Sequence, residues 1–70
     1  MIPQEMATKD LAKAEAEIAE WELRVAHQRE RIRVFHFESP ISLELSKQIL
    51  ETFEAALRLA QERRNRLLER

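Results

Sequence analysis

The residues best suited to acid–base or metal chemistry in this chain are its two histidines. His27 and His36 lie nine positions apart, whereas two ligands on one face of a helix are spaced by three or four. Arginine precedes each histidine by three residues, so the Glu-x-x-His pair of di-iron bundles is absent. We therefore expect both histidines at the surface, and neither a metal nor a cofactor.

Nucleophilic catalysis has little support in the residue types present. The chain has no cysteine or tyrosine, and its three serines, Ser39, Ser42 and Ser46, fall within eight residues of one another. They lie where a helix is expected to begin, and capping or solvation explains them there. The sequence predicts a protein that is not an enzyme.

Arginines offer another chemistry, the recognition of phosphate. They form two clusters, and those that we consider possible nucleic-acid contacts are Arg29, Arg31, Arg33, Arg63, Arg64 and Arg66. A dimer of helical hairpins that grips RNA loops is known in the plasmid regulator Rop, an analogy of shape alone. A Rop-like dimer that binds RNA or DNA is accordingly an alternative function, although the net charge of −1 gives no general attraction to nucleic acid.

The composition indicates which elements must position these side chains. The 70 residues include no glycine and two prolines, and strong helix formers dominate. A core of this size supplies only about 3–5 kcal/mol, and without cysteine the remaining supports are oligomerisation or very regular helix packing. Because no secretory signal and no apolar run of membrane-spanning length is present, we expect a cytoplasmic protein that does not bind membranes.

The two prolines divide the chain into two helices of one domain, residues 1–70. The first is predicted over about residues 3–37 and the second over about residues 40–68, with a corner at 38–40. Ser39 is expected to cap the second helix, with Pro40 at its first position. So short a connection folds the helices into an antiparallel hairpin.

Both helices carry apolar residues in a heptad repeat, which predicts a coiled-coil-like seam. In the antiparallel hairpin, the facing positions have residue numbers that add up to 78, with Trp21 opposite Leu57 in the middle. We expect Trp21 to be the largest side chain of this core. The predicted core residues are Leu11, Ile18, Trp21, Val25, Ile32, Phe35, Leu43, Leu50, Phe53, Leu57 and Leu67.

The distribution of charge also favours the antiparallel arrangement. Residues 1–22 carry six acids and two lysines, and residues 23–37 carry four arginines and one glutamate. The second helix repeats the pattern, so an antiparallel hairpin places acids opposite bases. We expect pairs such as Glu17 with Arg63 and Asp10 with Arg70. Each pair contributes only about 0–1 kcal/mol, and together they select orientation.

Some apolar residues lie outside the two-helix seam. Alanines and Leu23 form a stripe on the first helix, and a second stripe flanks the seam on the second helix. The predicted dimer face consists of Leu23, Leu45, Ile49, Ala56 and Leu59. We expect a symmetric homodimer that forms a four-helix bundle. The favoured function is a small, non-enzymatic helical interaction or oligomerisation protein that binds itself or a protein partner.

Two segments resemble those of a known group of proteins. These are AEAEIAEWELRVAHQRERI at residues 14–32 and ILETFEAALRLAQERRNRLL at residues 49–68. They are similar to very small, uncharacterised two-helix proteins of alphaproteobacteria, with a first helix of pattern A-E-x-x-I-A-x-x-x-x-R-V-A-x-Q-R-x-x-I. The corner FHFESPISLE departs from the Gly- and Asp-containing turn frequent in that group. The resemblance covers about half the chain and implies a helical hairpin, with no activity, cofactor or site.

Overall fold

A computed structural model describes residues 4–35 and 40–69, with side chains for residues 8–34 and 41–69. It contains helix α1, Gln4–Phe35, and helix α2, Pro40–Leu68. The predicted end of the first helix at residue 37 and the predicted cap Ser39 lie outside the described residues. Pro40 stands at the first position of α2, where its missing N–H costs no intrahelical hydrogen bond.

The two helices pack side by side and not end to end. At about 1.5 Å per residue, α1 alone is about 48 Å long, and the molecule measures 56 × 14 × 11 Å. Ion pairs join Glu17 to Arg63 and Arg29 to Glu54, so partners on α2 fall earlier as those on α1 fall later. The prediction of an all-α, two-helix hairpin is therefore confirmed. Neither described helix is long and apolar enough to cross a membrane.

The buried residues of the hairpin come mostly from α1. Ile18 and Val25 are buried at heptad position a, and Ala14 at position d. Ala60 is the buried counterpart on α2, with 2% of its surface exposed. The described buried residues of α1 therefore recur at heptad positions a and d, as a two-helix seam requires.

The larger side chains of the seam are only half-buried. This holds for Trp21 and Leu11 on α1 and for Phe53 and Leu57 on α2. The other predicted core residues of this class are Ile32, Leu43, Leu50 and Leu67. The side chain of Phe35 lies outside the described set. Two helices cover each other along one line only, so a wide side chain on that line keeps its flank in water.

Candidate interaction surface

Trp21 makes the aromatic contact of the seam. Its ring centroid lies 5.8 Å from that of Phe53, with the rings inclined at 54°. This tilted geometry is one that aromatic pairs favour. The guanidinium carbon of Arg24 lies 4.5 Å from the Trp21 centroid, within cation–π range, and Arg24 also pairs with Glu20. The half-buried indole is therefore covered on one side by Phe53 and on another by a cation.

Gln28 is a polar residue inside the seam, at heptad position d. Only 3% of its surface is exposed. Its side-chain amide Nε2 donates a 2.8 Å hydrogen bond to the backbone carbonyl oxygen of Ser46 on α2. Ser46 is small, and this leaves its carbonyl accessible from the facing helix. The bond prevents the cost of a buried amide without a partner, about 1–3 kcal/mol.

Two ion pairs cross the hairpin on its two flanks. Glu17 and Arg63 occupy heptad position g of their helices and lie 3.3 Å apart, as predicted from the sequence. Arg29 and Glu54 occupy position e and lie 3.2 Å apart. Pairing g with g and e with e follows from antiparallel packing, because each flank then carries the same position from both helices. Arg70 lies outside the described residues, so its predicted pair with Asp10 is too.

The register in which the two helices pack agrees only approximately with the predicted one. Contacts within the seam join Trp21 to Phe53 and Gln28 to Ser46, and in both cases the residue numbers add up to 74. For the two ion pairs across the hairpin, they add up to 80 and 83. These contacts lie on either side of the predicted value of 78.

Most of the arginines considered for nucleic-acid binding already contact a carboxylate. Besides Arg29 and Arg63, Arg66 lies 3.8 Å from Glu62 and Arg33 lies 2.6 Å from Glu30. The hydrogen bond from Arg33 lowers the pKa of the Glu30 carboxyl below its ordinary value, and the Glu30 carboxylate raises the pKa of Arg33. The half-buried Arg64 donates to the amide oxygen of Asn65. Arg31 is exposed beside a groove described below.

A row of exposed apolar side chains runs along α2 beside the seam. Leu45, Ile49 and Leu59 are 55%, 43% and 52% exposed, and Ala56 is half-buried. Together with the exposed Thr52 they follow spacings of four, three, four and three residues, which place them on one helix face. We refer to Leu45, Ile49, Thr52, Ala56 and Leu59 as the α2 stripe. Its three large members are apolar surface that the hairpin itself leaves uncovered.

The outer face of α1 is of a different kind. Leu23 is 56% exposed and is surrounded along the helix by exposed alanines. These alanines are Ala12, Ala16, Ala19 and Ala26. This face therefore presents one large apolar side chain among small ones. It lies nearly opposite the seam, since its positions are b and f of the heptad.

An open groove of about 370 Å³ lies between the helices at Ile49 and Phe53. Its α1 wall consists of Arg24, His27, Gln28 and Arg31. The groove therefore combines an apolar floor with a cationic rim. His27 is exposed there, as the sequence predicts, while His36 lies outside the described residues. Among residues 8–34 and 41–69, no three histidine, aspartate or glutamate side chains form a group that suits a metal ion.

Comparison with known proteins identifies no relative. No family model matches the chain, and neither a curated protein nor a solved structure is significantly similar to it. The resemblance to small alphaproteobacterial proteins consequently stays a prediction.

Several features of this surface were not singled out from the sequence. The acceptor for Gln28 is a backbone carbonyl oxygen, so no residue type on α2 indicates this hydrogen bond in advance. The groove forms only when both helices pack in register, so the sequence of neither helix predicts it alone. Two further exposed apolar residues were also missed: Ile41 and Leu68. Ile41 continues the α2 stripe one turn before Leu45, whereas Leu68 lies on the opposite side of α2, where isolated exposed apolar residues are common.

Proposed function

We propose that this protein is a small, non-enzymatic helical hairpin that binds itself or a protein partner through its exposed apolar faces. The observation that carries the proposal is the α2 stripe, in which three large apolar side chains about half exposed to water share one helix face. Contiguous apolar surface of this kind marks interaction sites on soluble proteins. Leu23 on α1 is a second anchor of the same type.

The size of the core gives the proposal a thermodynamic basis. A chain this small has a marginal core, and here the large seam residues remain half exposed. Association stabilises the folded state because the partner binds the native hairpin and not the unfolded chain. A homodimer that packs as a four-helix bundle is the form of association that we favour, since it covers a helix face on each hairpin.

The experiment is light scattering after size exclusion, over protein concentrations from low micromolar to millimolar, with thermal unfolding at each concentration. We expect a dimer whose midpoint temperature rises with concentration. A variant with glutamate at Leu23, Leu45, Ile49 and Leu59 is expected to be monomeric. The matched control is Leu68→Glu, at a residue that is 59% exposed and lies on the opposite side of α2, and it is expected to associate normally.

A strictly monomeric wild-type protein with a concentration-independent midpoint would remove the support for self-association. The alternative of RNA or DNA binding is less well supported, because four of the six candidate arginines are ion-paired with carboxylates. A gel-shift assay with structured RNA at modest salt tests it, and we expect no shift at tens of micromolar protein.

A further inference from the structure

We infer that the α2 stripe binds the same stripe of a second copy of this chain, with the two α2 helices antiparallel about a twofold axis at Thr52. This inference rests on the proposed function and specifies it: the partner is a second copy, and the contact is between α2 and α2. The face of α1 that carries Leu23 lies outside this interface.

The α2 stripe points in a different direction from the face of α2 that packs against α1. At 100° per residue, its mean direction is about 110° from that of the seam, so α2 can pack against α1 and against a further helix at the same time. Ile49 also lines the groove whose other wall carries Arg24 and Arg31. An apolar centre bordered by charged side chains is the usual anatomy of a protein interface.

The order of residues makes the stripe complementary to its own antiparallel copy. With Thr52 on the twofold axis, Leu45 lies opposite Leu59 of the second copy. Ile49 then lies opposite Ala56 of the second copy, a large side chain against a small one. Because the axis repeats each contact, one stripe supplies both sides of a packed layer.

Thr52 suits a position on the axis. Its hydroxyl donates a 3.1 Å hydrogen bond to the carbonyl oxygen of Gln48, one turn earlier in α2. The hydroxyl proton therefore has a partner within the helix, and covering Thr52 leaves no donor without one. Its methyl group remains to pack against the second copy.

Charge favours the antiparallel direction over the parallel one. Residues 41–54 of α2 hold three glutamates and one lysine, whereas residues 55–69 hold four arginines and two glutamates, so the first half is acidic and the second half basic even though Glu54 and Arg63 pair with α1. Antiparallel helices bring the acidic half of each opposite the basic half of the other, and they also align the helix dipoles favourably. A parallel pair would place like charges together along its length.

Cysteine cross-linking tests the axis directly, because the natural chain has no cysteine. Thr52→Cys is expected to give covalent dimers with a short bifunctional reagent. Leu45→Cys alone is expected to give few, since the two copies of residue 45 are about 21 Å apart along the helices at 1.5 Å per residue. A mixture of Leu45→Cys and Leu59→Cys proteins is expected to cross-link efficiently, because these residues face each other.

Charge substitution gives an independent measure. Leu45→Glu and Leu59→Glu are each expected to raise the dimer dissociation constant by about 100-fold, since symmetry places each change in the interface twice. The matched control is Leu68→Glu, at an equally exposed residue on the opposite side of α2, and it is expected to leave the constant unchanged. Circular dichroism verifies that each variant remains helical.

The outcomes separate the two proposals. Dimers that cross-link at Thr52→Cys and weaken with Leu45→Glu support this interface. Dimers that persist in Leu45→Glu and Leu59→Glu, and fail to cross-link at Thr52→Cys, overturn it while leaving self-association intact. A wild-type protein that stays monomeric at all concentrations overturns both the interface and the homodimer of the proposed function.

Discussion

Helix α1 contributes most of the buried residues of this hairpin, whereas α2 contributes most of the uncovered apolar surface. Ile18 and Val25 lie in the seam and are almost completely buried. On α2, the seam side chains Phe53 and Leu57 are half-buried.

Packing against one helix therefore leaves less large apolar surface exposed on α1 than on α2. Outside the seam, the described surface of α1 consists mainly of charged residues and alanines, with Leu23 and Val34 as its exposed large apolar residues. The α2 stripe instead gives α2 a second apolar face. Substitutions in the two helices should therefore act differently, on folding in α1 and on association in α2.

The largest expected effect is the loss of the fold in Ile18→Asp. A carboxylate at this buried position loses its hydration, which costs several kcal/mol. Because the core of so small a chain supplies only about 3–5 kcal/mol, we expect the far-ultraviolet circular dichroism of the helix to be lost. The control is Ala19→Asp, at the next, exposed residue. Equal stability of the two variants would contradict the buried placement of Ile18.

Trp21→Ala is expected to have the next largest effect. Full burial of the ring predicts a loss of about 3–5 kcal/mol, and its half-buried position reduces this to about 2–3 kcal/mol. Arg24→Ala serves as the control, because it removes the cation beside the ring and keeps the contact with Phe53. It should cost about 0.5–1 kcal/mol. Urea titration measures both, and an unchanged midpoint in Trp21→Ala would refute the contact.

Gln28→Glu should destabilise the hairpin at neutral pH and spare it in acid. The substitution replaces the amide donor by a carboxylate oxygen that faces the carbonyl oxygen of Ser46, at a cost of about 1–3 kcal/mol. Burial raises the pKa of such a carboxyl, so its protonated form is favoured in the folded state. Stability is then lost as pH rises through this raised pKa and regained as pH falls below it. Thermal unfolding at pH 7 and pH 4, beside wild type, tests this sign.

The ion pair between Glu17 and Arg63 should give the smallest effect. Both side chains are substantially exposed, so a double-mutant cycle with alanine is expected to give a coupling of about 0.2–1 kcal/mol. The coupling should fall as salt is added. The control is a cycle between Glu17 and Arg66, which should show less coupling. A coupling that is unchanged in high salt would argue against an ionic contact.

The sequence predicts those features of the hairpin that depend on period and punctuation. Pro40 marks the start of α2, and the heptads of Leu11 and Leu43 define the faces that meet. It predicts burial less well. Trp21 is the largest residue of the seam yet remains half-buried, while Ala60 is among the most buried, because exposure depends on what lies across the interface as well as on heptad position. The hydrogen bond from Gln28 to the carbonyl oxygen of Ser46 could not be predicted either, because it depends on which backbone group lies across the interface.

The hydrogen bond between Gln28 and Ser46 also bears on the order in which the chain folds. It joins residues 18 positions apart, whereas the pair of Glu17 and Arg63 joins residues 46 apart. Closing the shorter loop costs about 0.8 kcal/mol less in chain entropy. Folding that begins at the end of the hairpin near the corner therefore loses less chain entropy. Each pair of residues that packs there shortens the loop that the next pair must close. Helix pairing should therefore start near the corner and extend toward the chain termini, and unfolding should begin at the termini.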